Sequence, residues 1–171
     1  MCAPPPRLST THRGTAARVL RDDARTSRTH CDEGRVAATE SGDAAWVCHL
    51  DEMLARALVA ERRFDEASDL ITHSLSTFRA VGSRSCLPHS FEAVARMRLA
   101  TSDDDAVRAA RFLGVADQIC RSLSITMLPV ERALFDQTTR RARATLGDAA
   151  FDSAWQQGAV LSEEAALVEA T

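Results

Sequence analysis

From Asp43 to the end of the chain, apolar residues return every three or four positions, and no stretch of β-branched residues alternates with period two. That pattern argues against a sheet and predicts a stack of amphipathic helices. Trp46, Leu50, Leu54, Ala57 and Leu58 line a first helix; Phe64, Ala67, Leu70, Ile71, Leu75, Phe78 and Val81 line a second that stops at Gly82. The short polar AERR between them implies an antiparallel hairpin. LPHSFEAVARMRLA repeats the pattern with Leu87, Phe91, Val94, Ala95 and Leu99, and Pro88 suits its first turn. A fourth helix, Ala106 to Leu123, offers a wide apolar face of Ala109, Phe112, Leu113, Ala116, Ile119, Cys120 and Leu123. A fifth starts near Pro129, carries Val130, Leu134, Phe135, Thr138, Ala142 and Leu146, and ends at Gly147. A short sixth brings Phe151, Ala154 and Trp155 together ahead of Gly158, and Ser162 caps a last helix with Glu163 and Glu164 in its first turn.

Two local features sharpen this reading. The polar break TSDDD is a helix start, with Ser102 or Asp103 capping free amides and Asp104 and Asp105 facing the positive end of the helix dipole. It lacks the alternating ligands and closing glutamate of a calcium loop. In RFLGVADQIC, Gly114 stands inside a helix at a cost of about 1 kcal/mol relative to alanine. Beside the small Ala110 and Ala116, its missing side chain would let a neighbouring helix approach closely, a packing role preferred to ligand contact. Ala67, Ile71 and Ser74 align with Ala109, Leu113 and Ala116 as small-large-small triplets 42 residues apart. That is a faint sign of a repeat, at a spacing longer than the roughly 34 residues of a tetratricopeptide unit.

Composition narrows the chemistry. A length of 171 residues with 45% hydrophobic content suffices for one domain with a true core. All 21 basic residues are arginine, so a phosphate-loop lysine, a Schiff-base lysine and a kinase-type lysine are excluded outright. The net charge of -3 points to no polyanionic partner. Five cysteines, Cys2, Cys31, Cys48, Cys86 and Cys120, are scattered without a CxxC pair, which argues against a disulfide framework or zinc ribbon. His30 with Cys31, and Cys48 with His49, are helix neighbours about 100° apart, poorly placed to share one ion. His49, His73 and His89 lie near Asp51, Glu52 and Glu92 without a nucleophile elbow or metal spacing. No catalytic, cofactor-binding or metal-ligating residue is therefore expected, and the chain reads as no enzyme. Trp46 and Trp155 read as core or interface aromatics.

Residues 1–43 hold three successive prolines, seven arginines, six acids and few large apolar residues. They read as a disordered or weakly structured arm, leaving 44–171 as the helical domain. A basic arm on nucleic acid and a degraded upstream segment stay open as alternatives. No secretory apolar run and no span of 18 apolar residues are present, so the default compartment is the cytoplasm, with no membrane partner.

From Ala109 onward, several motifs occur in order: the AAxLLGAA-like helix at Ala109 to Ala116, PVER at Pro129 to Arg132, the arginine-rich helix ending LG at Arg140 to Gly147, AFDSAWQQG around Phe151 to Gly158, and LSEEA at Leu161 to Ala165. Together they resemble the C-terminal helical region of large actinobacterial LuxR-type and MalT-like ATPase regulators and related cyclase-domain regulators. The resemblance covers about the last 63 residues specifically and the helices from Trp46 more loosely. It implies an all-α fold of antiparallel hairpins stacked as a short tetratricopeptide-like α-solenoid, and a role in receiving a signal or contacting a partner. The ATPase and helix-turn-helix parts of those regulators have no counterpart here, so ATP hydrolysis and direct DNA binding are not carried over.

Three functional readings follow. The first is a non-catalytic interaction or regulatory module with a protein partner and no cofactor, in which Gly114, Ala109, Leu113, Ala116, Phe151 and Trp155 serve packing. Homodimerisation would cover the ends of so short an array. The second is a truncated remnant of such a regulator with no independent function. The third is weak nucleic-acid binding through Arg140, Arg141 and Arg143, helped by Arg132; its arginines fan over more than one helix face.

Overall fold

A computed structural model describes residues 24–170, except for the side chains of 24–27 and of Val130. The described chain is all-helical: α1 Ala24–Glu40, α2 Ala44–Ala60, α3 Phe64–Ala80, α4 Leu87–Thr101, α5 Ala106–Ser122, α6 Pro129–Leu146, α7 Asp148–Ala159 and α8 Glu163–Ala170. Residues 1–23 and 171, and with them Cys2 and most of the expected arm, lie outside the described residues.

The helix ends are written in the sequence by a recurring device. Gly42, Arg62, Gly82 and Ser124 each take a left-handed backbone just past a helix, with φ of 72, 61, 69 and 52°. The next amide then folds back five residues in a Schellman pattern: Asp43 N–H donates to the Ala38 carbonyl, Arg63 to Leu58, Ser83 to Phe78 and Ile125 to Cys120, at 2.8–3.0 Å. Because α1, α2 and α3 are each 17 residues long, the first three turns keep one cadence. Short turns of this kind fold α1 onto α2 and α2 onto α3 as antiparallel neighbours.

Helix starts are satisfied by side chains. Asp43 accepts from the Trp46 amide at 2.9 Å, Ser102 from Asp104 at 3.1 Å and Ser162 from Ala165 at 3.1 Å. TSDDD forms a single 3-10 turn, Asp103–Asp105, running directly into α5. At α6, Pro129 opens the first turn while the Glu131 carboxylate reaches back to the Leu128 amide at 2.7 Å. Gly147, at φ 75°, is the single residue between α6 and α7.

Packing follows chain order in the first half and departs from it in the second. α2 touches α1, α3 and α4, and α4 in turn touches α3, α5 and α6. α7 lies chiefly against α5, and only lightly against its chain neighbour α6. Both small-large-small triplets are buried: Ala67, Ile71 and Ser74 on α3, and Ala109, Leu113 and Ala116 on α5. Phe91 of α4 stacks on Phe112 of α5, ring centroids 6.0 Å apart and nearly parallel.

Two readings are refined by the structure. Of the segment 1–43, read as a disordered or weakly structured arm, residues 24–40 are helical and form α1 against α2. The helix faces α2 with small residues, the buried Cys31 and Ala38 and the half-buried Gly34, so a search for large apolar side chains misses it. A Cβ on Gly34 would stand 3.0 Å from a Leu50 methyl, which shows how closely α2 approaches. Gly158, read as lying beyond the sixth helix, is inside α7.

Candidate functional site

Of the residues singled out for packing, Gly114 of α5 meets Trp155 at the seam between α5 and α7. Ala109, Leu113, Ala116 and Phe151 are buried, and Trp155 is half-buried, tilted on Phe151 at 5.4 Å and edge-on to Phe135 at 6.1 Å. A Cβ on Gly114 would collide with the Trp155 carbonyl oxygen and stand 3.2 Å from the Ala159 nitrogen. The contact is reciprocal, since a Cβ on Gly158 would collide with the carbonyl of Arg111. Sequence alone identified Gly114; its partner Gly158 was missed because it read as punctuation.

The arginines considered for nucleic acid are dispersed. Arg141 donates to the Leu99 carbonyl at 2.6 Å. Arg143 pairs with Asp148 and Asp152, each at 2.8 Å, and lies over the Phe151 ring at 4.2 Å. Arg132 is near Asp136 at 3.9 Å, while Arg140 is exposed. Two of the three proposed phosphate ligands are thus engaged by groups of the chain itself.

Polar groups that looked unrelated along the chain converge between helices. Asp51 of α2 is fully buried, with Arg35 of α1 at 2.6 Å and His73 of α3 at 3.0 Å. Burial pushes its carboxyl up, against the opposing pull of Arg35 and His73. Glu92 of α4 holds the corresponding position: Leu50, Leu54 and Leu58 around Asp51 are matched by Phe91, Ala95 and Leu99 around Glu92. It receives Arg56 of α2 at 3.2 Å, Arg96 of its own helix and the Thr138 hydroxyl of α6 at 2.6 Å. Burial would raise the Glu92 carboxyl, but the two arginines and Thr138 reverse this and hold it below the usual range. A buried carboxylate that takes a guanidinium from an earlier helix therefore occurs on both α2 and α4.

A third cluster lies at the start of α4. Cys86, the residue before that helix, places Sγ 3.3 Å from His49 Nε2 and 3.2 Å from Ser83 Oγ. His49 Nδ1 faces Glu52 Oε2 at 3.6 Å, and the other Glu52 oxygen accepts from Ser90. Three rings surround the imidazole: Trp46 at 6.0 Å, Phe78 at 5.4 Å and His89 at 5.7 Å. Burial disfavours a charged His49, but the contacts with Cys86 and Glu52 prevail and raise it to about 10. Burial likewise pushes the Cys86 thiol up, and His49 more than offsets this, leaving it below the ordinary thiol range. Burial and the nearby His49 charge depress His89 to about 4, so it is neutral. Chemically, the cluster sets a thiol against an imidazole held by a carboxylate, an arrangement that favours the thiolate–imidazolium form.

The sequence contained these histidines and acids but no spacing motif, because Cys86, His49 and Glu52 are joined only by the packing of α2 on α4. No group of three or more His, Cys, Asp or Glu among the described residues is arranged to hold a metal ion. No described helix is long and apolar enough to cross a membrane. In comparisons with protein-family models, curated proteins and solved structures, the chain matches none of them.

Proposed function

We propose that the chain is a non-catalytic helical-repeat interaction module, a short tetratricopeptide-like stack related to the C-terminal part of LuxR-type ATPase regulators, and that it acts by binding a protein partner. The observation that carries this reading is the recurrence of one helix with its closing turn. The buried triplet and the closing Schellman bond of α3 recur in α5 at the same 42-residue offset, as Ser83 to Phe78 and Ile125 to Cys120. Helices stacked by repetition bind through extended surfaces rather than through a cleft. The resemblance to the regulators gains support because its motifs coincide with structural junctions: PVER with the capped start of α6, the LG pair with the turn into α7, and AFDSAWQQG with the α5/α7 seam.

Cross-linking in cells followed by titration of the purified chain with each captured protein, itself purified, tests the reading. Saturable binding with a Kd of about 10 μM or tighter, roughly 7 kcal/mol, is expected for one of them. Failure of every purified candidate to bind, or steep salt-dependent binding to duplex DNA instead, overturns it.

A further inference from the structure

Cys86 differs from the other described cysteines in its surroundings. Cys31, Cys48 and Cys120 are enclosed by packing, and burial drives their thiols up, the first two to about 12 and 11. Cys86 retains 9% exposure beneath a turn whose Val81, Gly82 and Arg84 face solvent, and its sulfur meets the imidazole of His49. It also precedes the first amides of α4, whose dipole favours a negative sulfur. So small an exposed fraction favours a small reagent over a polypeptide or a bulky disulfide.

We propose that Cys86 is an oxidation site at which small hydroperoxides convert the thiolate to a sulfenic acid, with His49 as the proton donor. The Cys86 thiolate attacks one oxygen of hydrogen peroxide, an S–O bond forms and the O–O bond breaks. Sulfur loses two electrons and the peroxide gains them. The departing hydroxide takes the proton from His49 Nε2 and leaves as water, so the products are Cys86–SOH, water and neutral His49. Glu52, fixed by Ser90, holds the imidazole in line and favours its charged form before the step. Oxidation removes the negative charge facing His49 at the α2/α4 contact, which makes this junction redox-sensitive. The proposal stands independently of any protein partner.

The test uses the full chain with Cys2 replaced by serine, treated with less than one equivalent of hydrogen peroxide and trapped with a cyclic 1,3-dione, and the adducts are mapped by mass spectrometry. The expected result is an adduct on Cys86 formed at least about tenfold faster than on Cys31, Cys48 or Cys120. His49→Gln is expected to slow it about tenfold while keeping the helical circular dichroism of the parent. Even labelling of the cysteines, labelling of a different one, or an unchanged rate in a folded His49→Gln chain overturns the proposal. Should His49→Gln fail to fold, the thiolate absorbance of the parent, read against Cys86→Ser, decides. A midpoint below the ordinary value of 9.0 supports the proposal, and one at or above it overturns the proposal.

Discussion

Gly114 shows how much one missing atom decides. Its helical φ needs no glycine, so conformational freedom is not the reason for it; the obstacle to a side chain is the backbone of α7. Backbone cannot rotate aside as a flexible side chain does, so even Gly114→Ala should force α5 and α7 apart. The expected loss is about 1–3 kcal/mol, the ordinary range for overpacking, against a propensity gain of about 1 kcal/mol. Thermal unfolding should show a net fall in Tm, and a rise would contradict the close approach. A second expectation at this scale concerns pH. His49 sits near 10 when folded, above its ordinary 6.5, so its contribution to stability is full below about 6.5 and is lost as pH rises toward 10. Cys86 is depressed, so its contribution is present above the ordinary 9.0 and is lost as pH falls through the folded value. The two slopes oppose each other below 9.0, and above 9.0 the decline from His49 is joined by that of the buried Cys31, Cys48 and Cys120, whose thiols are raised in the fold. The chain has no lysine and no tyrosine, so histidine and cysteine dominate this alkaline window. Tm should therefore drop above pH 9, and the His49 part of the decline should move to lower pH in Cys86→Ser, where only Glu52 supports the charged imidazole.

At the scale of elements, the turns carry the clearest signal. Gly82 has open space around it and a φ of 69°, so Gly82→Ala should cost about 1–2 kcal/mol through backbone strain alone, measured by chemical denaturation. Arg62 occupies the same conformation without being glycine, and its guanidinium lies 5.5 Å from the Phe64 ring, a contact that offsets part of its strain. The helices from α2 to α8 were legible because each combines an apolar stripe with a recognisable cap or stop. α1 was not, because its buried residues Cys31 and Ala38, with Gly34 set close to Leu50, are small and flanked by polar residues in the sequence. The Cys86 cluster was illegible for a different reason: its members sit on two helices and a turn, and only the register of α2 against α4 brings the imidazole to the sulfur.

For the whole molecule, the boundary at residue 43 becomes a stability question. A chain reduced to 44–171 uncovers Leu50 and the buried carboxylate of Asp51, which then lacks Arg35. Its Tm should fall by at least about 5 °C relative to the full chain, and an unchanged Tm would show that α1 adds nothing. At the other end, α8 is joined to the α3 side by Arg79–Glu164 and Arg84–Glu163, both largely exposed, while Ala166, Leu167 and Ala170 are buried. Removing the two glutamates together should shift stability by at most about 2 kcal/mol, since surface pairs contribute little, whereas Leu167→Asp should cost more. The α5/α7 seam also leaves a mark on ancestry. Because each glycine is held by the other helix's main chain, no change at one position can be compensated by a change at the other, and the two cannot drift as a pair. Descendants and cousins that keep this seam must keep both glycines at a fixed interval, while the exposed positions of α6 between them are free to change in sequence. That interval is a signature by which distant kin can be sought where overall similarity has been lost.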